Sequence, residues 1–129
     1  ARELFEGIGL NVREIELEDH DEIIAYVLGL SHAINIAFFT ALARSGRAFE
    51  DLKQYASTTF NKQECAARGV AMENPELYYE IQHVNPRTQE VLDLLIESVE
   101  EVRKAATEPG GERFVEMMEA GNRYFGGIE

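Results

Sequence analysis

His32 lies in a stretch of sequence without a single charge, beside Ser31 and one helical turn before Asn35 and Ile36. An imidazole that titrates near neutrality can exchange hydrogen bonds with a hydroxyl or a carboxylate in either protonation state. The same residue with a backbone or hydroxyl partner is an ordinary core histidine. Arg68 offers a different chemistry. Asn61, Cys65 and Arg68 recur at i, i+4 and i+7 along one helical face, and a guanidinium fork suits a carboxylate held by two parallel hydrogen bonds. Ala66, Ala67, Gly69 and Ala71 leave it few acidic competitors, but Glu64 stands one turn back and can neutralise it. Tyr78-Tyr79 reads as packing, or as a hydroxyl placed near Arg68 in a polar pocket.

Glu80-Ile81-Gln82-His83 has the Glu-x-x-His spacing of carboxylate di-iron bundles. Those bundles use the motif twice. Leu17 and Gly29 stand three residues before His20 and His32, so the single copy is a chance match and no metal site is expected. One cysteine and scattered histidines exclude a zinc set. No Ser-His-Asp arrangement, phosphate loop or kinase motif is present. Glu97, Glu100, Glu101, Arg103 and Lys104 read as a solvated helix face.

These side chains must be carried by helices. Asp19-His20-Asp21-Glu22 supplies a capping acceptor and acids for a first turn, and Ile23 to Ala43 then runs without charge. Ser31, His32, Asn35 and Thr40 interrupt that run and no basic cluster flanks it, which argues against a membrane span and for a buried central helix. Enclosing such a helix on every side takes more partners than a small monomer offers, so a homodimer core is expected. Ser45-Gly46 ends it. A short helix through Phe49 and Leu52 follows, then one from about Phe60 to Met72 capped from Ser57-Thr58-Thr59. Asn74-Pro75 and Asn85-Pro86 mark two further starts. Leu92, Leu95, Val99, Val102 and Ala106 form a heptad-like seam, Glu108-Pro109-Gly110-Gly111 breaks it, and Phe114 to Phe125 makes the last amphipathic helix.

Residues Ala1 to Glu18 differ. Leu4, Phe5 and Ile8 fit a short helix, and Asn11 to Leu17 alternate like a strand. A lone strand needs a sheet: either a second copy supplies it, or this is the last αβ piece of a neighbouring domain. Gly7-Ile8-Gly9 is no dinucleotide fingerprint, because it precedes the strand and lacks the third glycine.

At 129 residues the chain amounts to one compact domain. With 45% hydrophobic and 28% charged residues it has material for a core and no bias toward disorder. Twelve basic against twenty-four acidic residues give a net charge of −12, which disfavours nucleic acid as a partner and demands a local cation wherever an anion binds. The single cysteine, Cys65, forbids an internal disulfide and suits a reducing cytoplasm.

The order His20-Asp21, Leu30-Ser31-His32, Thr58-Thr59-Phe60, Arg68, then Asn74-Pro75-Glu76-Leu77-Tyr78-Tyr79-Glu80-Ile81-Gln82, Asn85 and Arg123-Tyr124-Phe125-Gly126 resembles the C-terminal helical domain of prephenate and arogenate dehydrogenases. The resemblance spans about Ala1 to Gly126. It implies an all-α dimerisation and substrate-side domain of five to six helices over 19–129, preceded over 1–18 by a remnant of an NAD(P)-binding Rossmann domain. It further implies a role in tyrosine biosynthesis, the oxidative decarboxylation of prephenate to 4-hydroxyphenylpyruvate.

By the same resemblance the catalytic histidine and the cofactor site lie outside this chain, which would be inactive alone. His32, Ser31, Arg68, Asn61 and Tyr78 are the expected contacts to prephenate, arogenate or tyrosine. The family's substrate-carboxylate arginine stands five residues before the Asn/Asp-Pro step. Here that position is Gly69, and Arg68 is one residue earlier, a rotation of about 100° on a helix. A competing reading is a regulatory or assembly module that dimerises and binds tyrosine without catalysis.

Overall fold

The computed structural model describes residues 17–127, which form six helices. Helix α1 is continuous through Leu17–Ile24, a π-helical segment Ala25–Leu30, and Ser31–Arg44. It is followed by α2 (Phe49–Lys53), α3 (Thr58–Ala71), α4 (Pro75–Val84), α5 (Thr88–Thr107) and α6 (Glu112–Tyr124). No strand occurs among the described residues, so the all-α expectation of five to six helices is met. The helix and strand expected before residue 17 lie outside the described residues. Leu17, expected to end that strand, is helical, and Asp19 sits inside the helix it was expected to cap.

Local chemistry accounts for most boundaries. Ser57 Oγ accepts from the Phe60 amide at 3.2 Å and starts α3 two residues before the expected position. Asn74 Oδ1 accepts from the amides of Glu76 and Leu77, and Pro75 fills the first turn of α4, where no backbone donor is needed. Gly46 ends the connection after α1 at φ 83°. Gly110 and Gly111 take φ 98° and 84° to turn the chain from α5 into α6, a backbone region costly for residues with a side chain. The Asn85-Pro86 start is displaced: Asn85 Oδ1 accepts from the Arg87 amide in a turn, and α5 begins at Thr88.

The chain divides into two compact units, up to Leu92 and from Asp93. In the first, α1 packs against α3, and its π-helical segment packs against α4. Amides tie these seams. Asn35, the one buried polar residue among those described, donates to the Ser31 carbonyl at 2.9 Å and accepts from Gln63 Nε2 at 2.7 Å. Gln82 Nε2 donates to the Gly29 carbonyl at 2.9 Å, and Asn85 Nδ2 donates to the Asp21 carbonyl at 2.9 Å. Phe60 packs edge-on to Phe38 and stacks with Phe49, joining α1, α2 and α3.

The buried apolar residues are small: Ala25, Ala67, Val91 and, in the second unit, Ala105. Ala105 rather than the expected Ala106 faces inward, and Val99 and Val102 of the expected seam are exposed. Val91 and Ala105, the buried pair of α5, are 14 residues apart and each stands one residue before a seam position, Leu92 and Ala106, so the enclosed positions keep the heptad step at an offset of one residue.

Large side chains remain uncovered within the chain, including Val27, Ile34 and Ile36 of α1 and Ile96, Val115 and Met118 further on. The uncharged helix is therefore enclosed on part of its circumference only. Its span Asp19–Arg44, 26 residues, is long and apolar enough to cross a membrane by length and composition, yet amides of α3, α4 and the α4–α5 turn bind its side.

Replacing Asn35 by Ala leaves the Gln63 amide without its acceptor, and should destabilise the fold by about 1–3 kcal/mol in urea denaturation. Ser31→Ala should leave the midpoint unchanged, since Ser31 contributes its main-chain carbonyl to this network. Equal midpoints for Asn35→Ala and the parent would show that the amide pair does not hold the seam.

Candidate functional site

Residues 29 and 32 of α1 are one helical turn apart, as are residues 78 and 82 of α4. The packing of these faces stacks the His32 ring on Tyr78, with centroids 4.3 Å apart and planes inclined by 22°. The next rung is the Gln82–Gly29 hydrogen bond. It fixes the orientation of the Gln82 amide, and a Cβ at Gly29 would approach Gln82 Oε1 to 3.4 Å. Buried polar atoms without a partner mark this seam: His32 Nδ1 and Gln82 Oε1. Burial holds the His32 pKa below its ordinary value, because a partly enclosed ring loses hydration of its charged form. At neutral pH the ring is thus a neutral donor and acceptor.

Ser31 and Tyr26 belong to a neighbouring groove of about 470 Å³ between α1 and α3, which also exposes Thr59, Lys62 and Gln63. It carries hydroxyls, the two amides of Asn35 and Gln63, and one ammonium. Arg68 and Asn61 are engaged elsewhere. Glu64 accepts from Lys53 Nζ at 2.6 Å and from Arg68 Nε at 2.8 Å, while Asn61 Oδ1 accepts from the same Lys53 at 2.7 Å. The hydrogen bonds from Lys53 first, then Arg68, hold the Glu64 carboxyl below the usual range. The Arg68 guanidinium lies 5.2 Å from the centroid of Phe49, a cation–π geometry.

Of the five expected contact residues, the structure thus brings His32 and Tyr78 together and sets Ser31 in an adjoining groove. Arg68 and Asn61 join a network between α2 and α3. Glu80 and His83 are exposed; His83 stacks on Tyr79, and no group of three or more metal-ligating side chains occurs among the described residues. Sequence reasoning missed Gln82 and the Asn35–Gln63 pair. Gln82 carried a signal, an amide four residues after Tyr78 on the same helical face, but its partner lies 53 residues away.

The domain is thus helical, with a first helix that carries no charge from Ile23 to Ala43 and a histidine–tyrosine seam on that helix's flank. The family described as prephenate dehydrogenase, dimerization domain, matches residues 16–120, and the chain belongs to that family. The chain is also similar to a protein named "Probable arogenate/prephenate dehydrogenase" from Methanocaldococcus jannaschii, with 28% identity over 118 residues. The match covers 92% of this chain and 26% of that protein, so the chain spans about a quarter of the length of this relative. No solved structure matches significantly.

The histidine's environment can be read directly. The His32 ring should titrate below 6.5 in NMR, and Tyr78→Ala, by opening the ring to water, should move it back upward. A depressed folded-state pKa means that the unfolded chain binds the proton first. His32 therefore contributes stability above pH 6.5 that is lost as the pH falls toward the folded-state pKa. A His32 resonance titrating above 6.5 would contradict this environment.

Proposed function

We propose that the chain is the dimerising, substrate-side part of a prephenate or arogenate dehydrogenase, an oxidoreductase of tyrosine biosynthesis that oxidatively decarboxylates its substrate. The observation that carries the reading is the His32–Tyr78 stack, with the imidazole Nδ1 buried and unpartnered, in a chain matched over residues 16–120 by the family's dimerization domain. An unpaired buried nitrogen costs free energy unless a ligand or water meets it. A neutral imidazole suits the hydroxyl or carboxylate of a small acid, prephenate, arogenate or tyrosine. Ser31 and the Lys62 ammonium border the adjoining groove and supply a further hydroxyl and a cation. Arg68 and Asn61 serve the α2–α3 network in this reading.

None of the described residues fits a dinucleotide. They form helices joined by short turns, with no glycine-rich turn between a strand and a helix. By the family resemblance, the reading assigns NAD(P) and the proton-accepting group to a separate domain of the full-length enzyme. The exposed apolar residues of α1, α5 and α6 exceed what isolated surface side chains explain, which supports a homodimer.

Sedimentation at micromolar concentration should give twice the 14.6 kDa mass of the chain for the isolated polypeptide; a monomer would remove the dimer from the reading. In the full-length enzyme, His32→Ala should lower kcat/KM by about tenfold or more, the loss of one hydrogen bond of about 1.5 kcal/mol. Arg68→Ala should change it by less than about twofold, because Arg68 lies in the α2–α3 network and lines a different cavity from the one beside His32. The reverse pattern would return the substrate carboxylate to Arg68.

A further inference from the structure

Phe38 lies six residues beyond His32, about 9 Å along α1. There the helix, the turn after it, α2 and α3 enclose a cavity of about 260 Å³. Its walls are mainly apolar and aromatic, with Phe38, Phe39, Phe49 and Met72 among them, and two guanidinium groups, Arg47 and Arg68, reach it together with one carboxylate, Glu64, which is already engaged by Arg68 and Lys53. The charge there runs against the rest of the chain. Lys53 and Arg68 share one carboxylate, Glu64, and Arg47 adds a cation whose side chain has no hydrogen-bond or ion-pair partner among the described residues. Glu64 takes Arg68 through Nε, which leaves the terminal nitrogens for another acceptor. Glu50 and Asp51 of α2 do not line the cavity. In a molecule of net charge −12, a ring-sized apolar space with spare guanidinium donors discriminates for a compact anion with a flat apolar body.

We propose that this cavity is a second binding site, separate from the His32 seam, for a small aromatic or cyclic monocarboxylate. Its ring would lie against the phenylalanines and its carboxylate would meet Arg47 and the terminal nitrogens of Arg68. The site stands on its own geometry and does not depend on the dehydrogenase reading. Both arginines are exposed to water, which weakens each contact, so the site is one of modest affinity.

The probe is 3-phenylpropionate, titrated by calorimetry into the intact protein, with 3-phenylpropan-1-ol as the uncharged control. Saturable binding at millimolar concentration or tighter is expected, with the alcohol at least about tenfold weaker, the factor for one charge-assisted contact. Arg47→Ala should weaken the acid about fivefold. Ala71→Trp, which places an indole in the cavity from a lining and exposed position, should abolish binding while the unfolding midpoint holds. His32→Ala should leave binding unchanged.

Equal affinity for acid and alcohol would overturn the carboxylate assignment, and loss of binding in His32→Ala would place the ligand at the other seam. An absence of saturation would remove the site. A loss of self-association in Ala71→Trp would show instead that a second copy covers the cavity.

Discussion

An apolar helix has nothing in its own surface to tell one neighbour from another, so the position of α1 depends on a few amides that reach it from the side. Gln63 meets Asn35, Gln82 meets the Gly29 carbonyl, and Asn85 meets the Asp21 carbonyl. Apolar contact alone tolerates sliding and rotation, whereas a buried amide that loses its partner costs about 1–3 kcal/mol. The three bonds therefore act as pins. They fix α3, α4 and the α4–α5 turn at successive heights on one helix, and the His32–Tyr78 stack follows because Tyr78 is carried on the same face of α4 as Gln82. Arg87 adds ion pairs from the α4–α5 turn to Glu22 and Glu90, but at partly exposed positions where such pairs contribute little.

The parts of this fold legible in sequence are those settled within three or four residues. Ser57 and Asn74 cap because their side chains reach the next turn, Gly46 and the Gly110-Gly111 pair turn because they accept positive φ, and Pro75 fits where no donor is required. What sequence could not settle was decided at long range. Asn85 and Asn74 look alike in front of their prolines, but the Asn85 amide is committed to a carbonyl 64 residues away, and its helix starts later. The π-helical segment Ala25–Leu30 leaves no local signature beyond Gly29, which sits where the Gln82 side chain approaches.

Arg68 shows the same limit at the level of the site. A guanidinium one turn after Glu64 is compatible with a ligand or with an ion pair, and only the third body, Lys53 brought in by α2, shows how the network closes. Once Lys53 and Arg68 share Glu64, that carboxylate is held ionised and α2 is tied to α3. The flat face of Arg68 then comes to rest on Phe49. His32 lies with a different helix pair, so the two residues that sequence alone set side by side as candidates serve different neighbourhoods.

The buried apolar residues also bear on why a domain of this kind associates. Alanines and one valine are what the described chain encloses fully, and small residues contribute least to hydrophobic stabilisation at roughly 25 cal/mol per Å² of buried apolar surface. Larger aliphatic side chains are exposed on α1, α4, α5 and α6, while Leu28, Leu42, Leu52 and Leu92 are half-buried. Small residues at helix crossings let backbones approach closely, as Gly29 does beneath Gln82, but they leave most of the available apolar area outside. A second polypeptide laid on those exposed side chains would gain that area without altering the amide pins, since the pins occupy the flank of α1 turned toward α3 and α4. The pinned flank of α1 and its exposed residues Val27, Ile34 and Ile36 are thus different parts of one helix, so a helix with an uncharged middle is precisely placed without using all of its apolar surface.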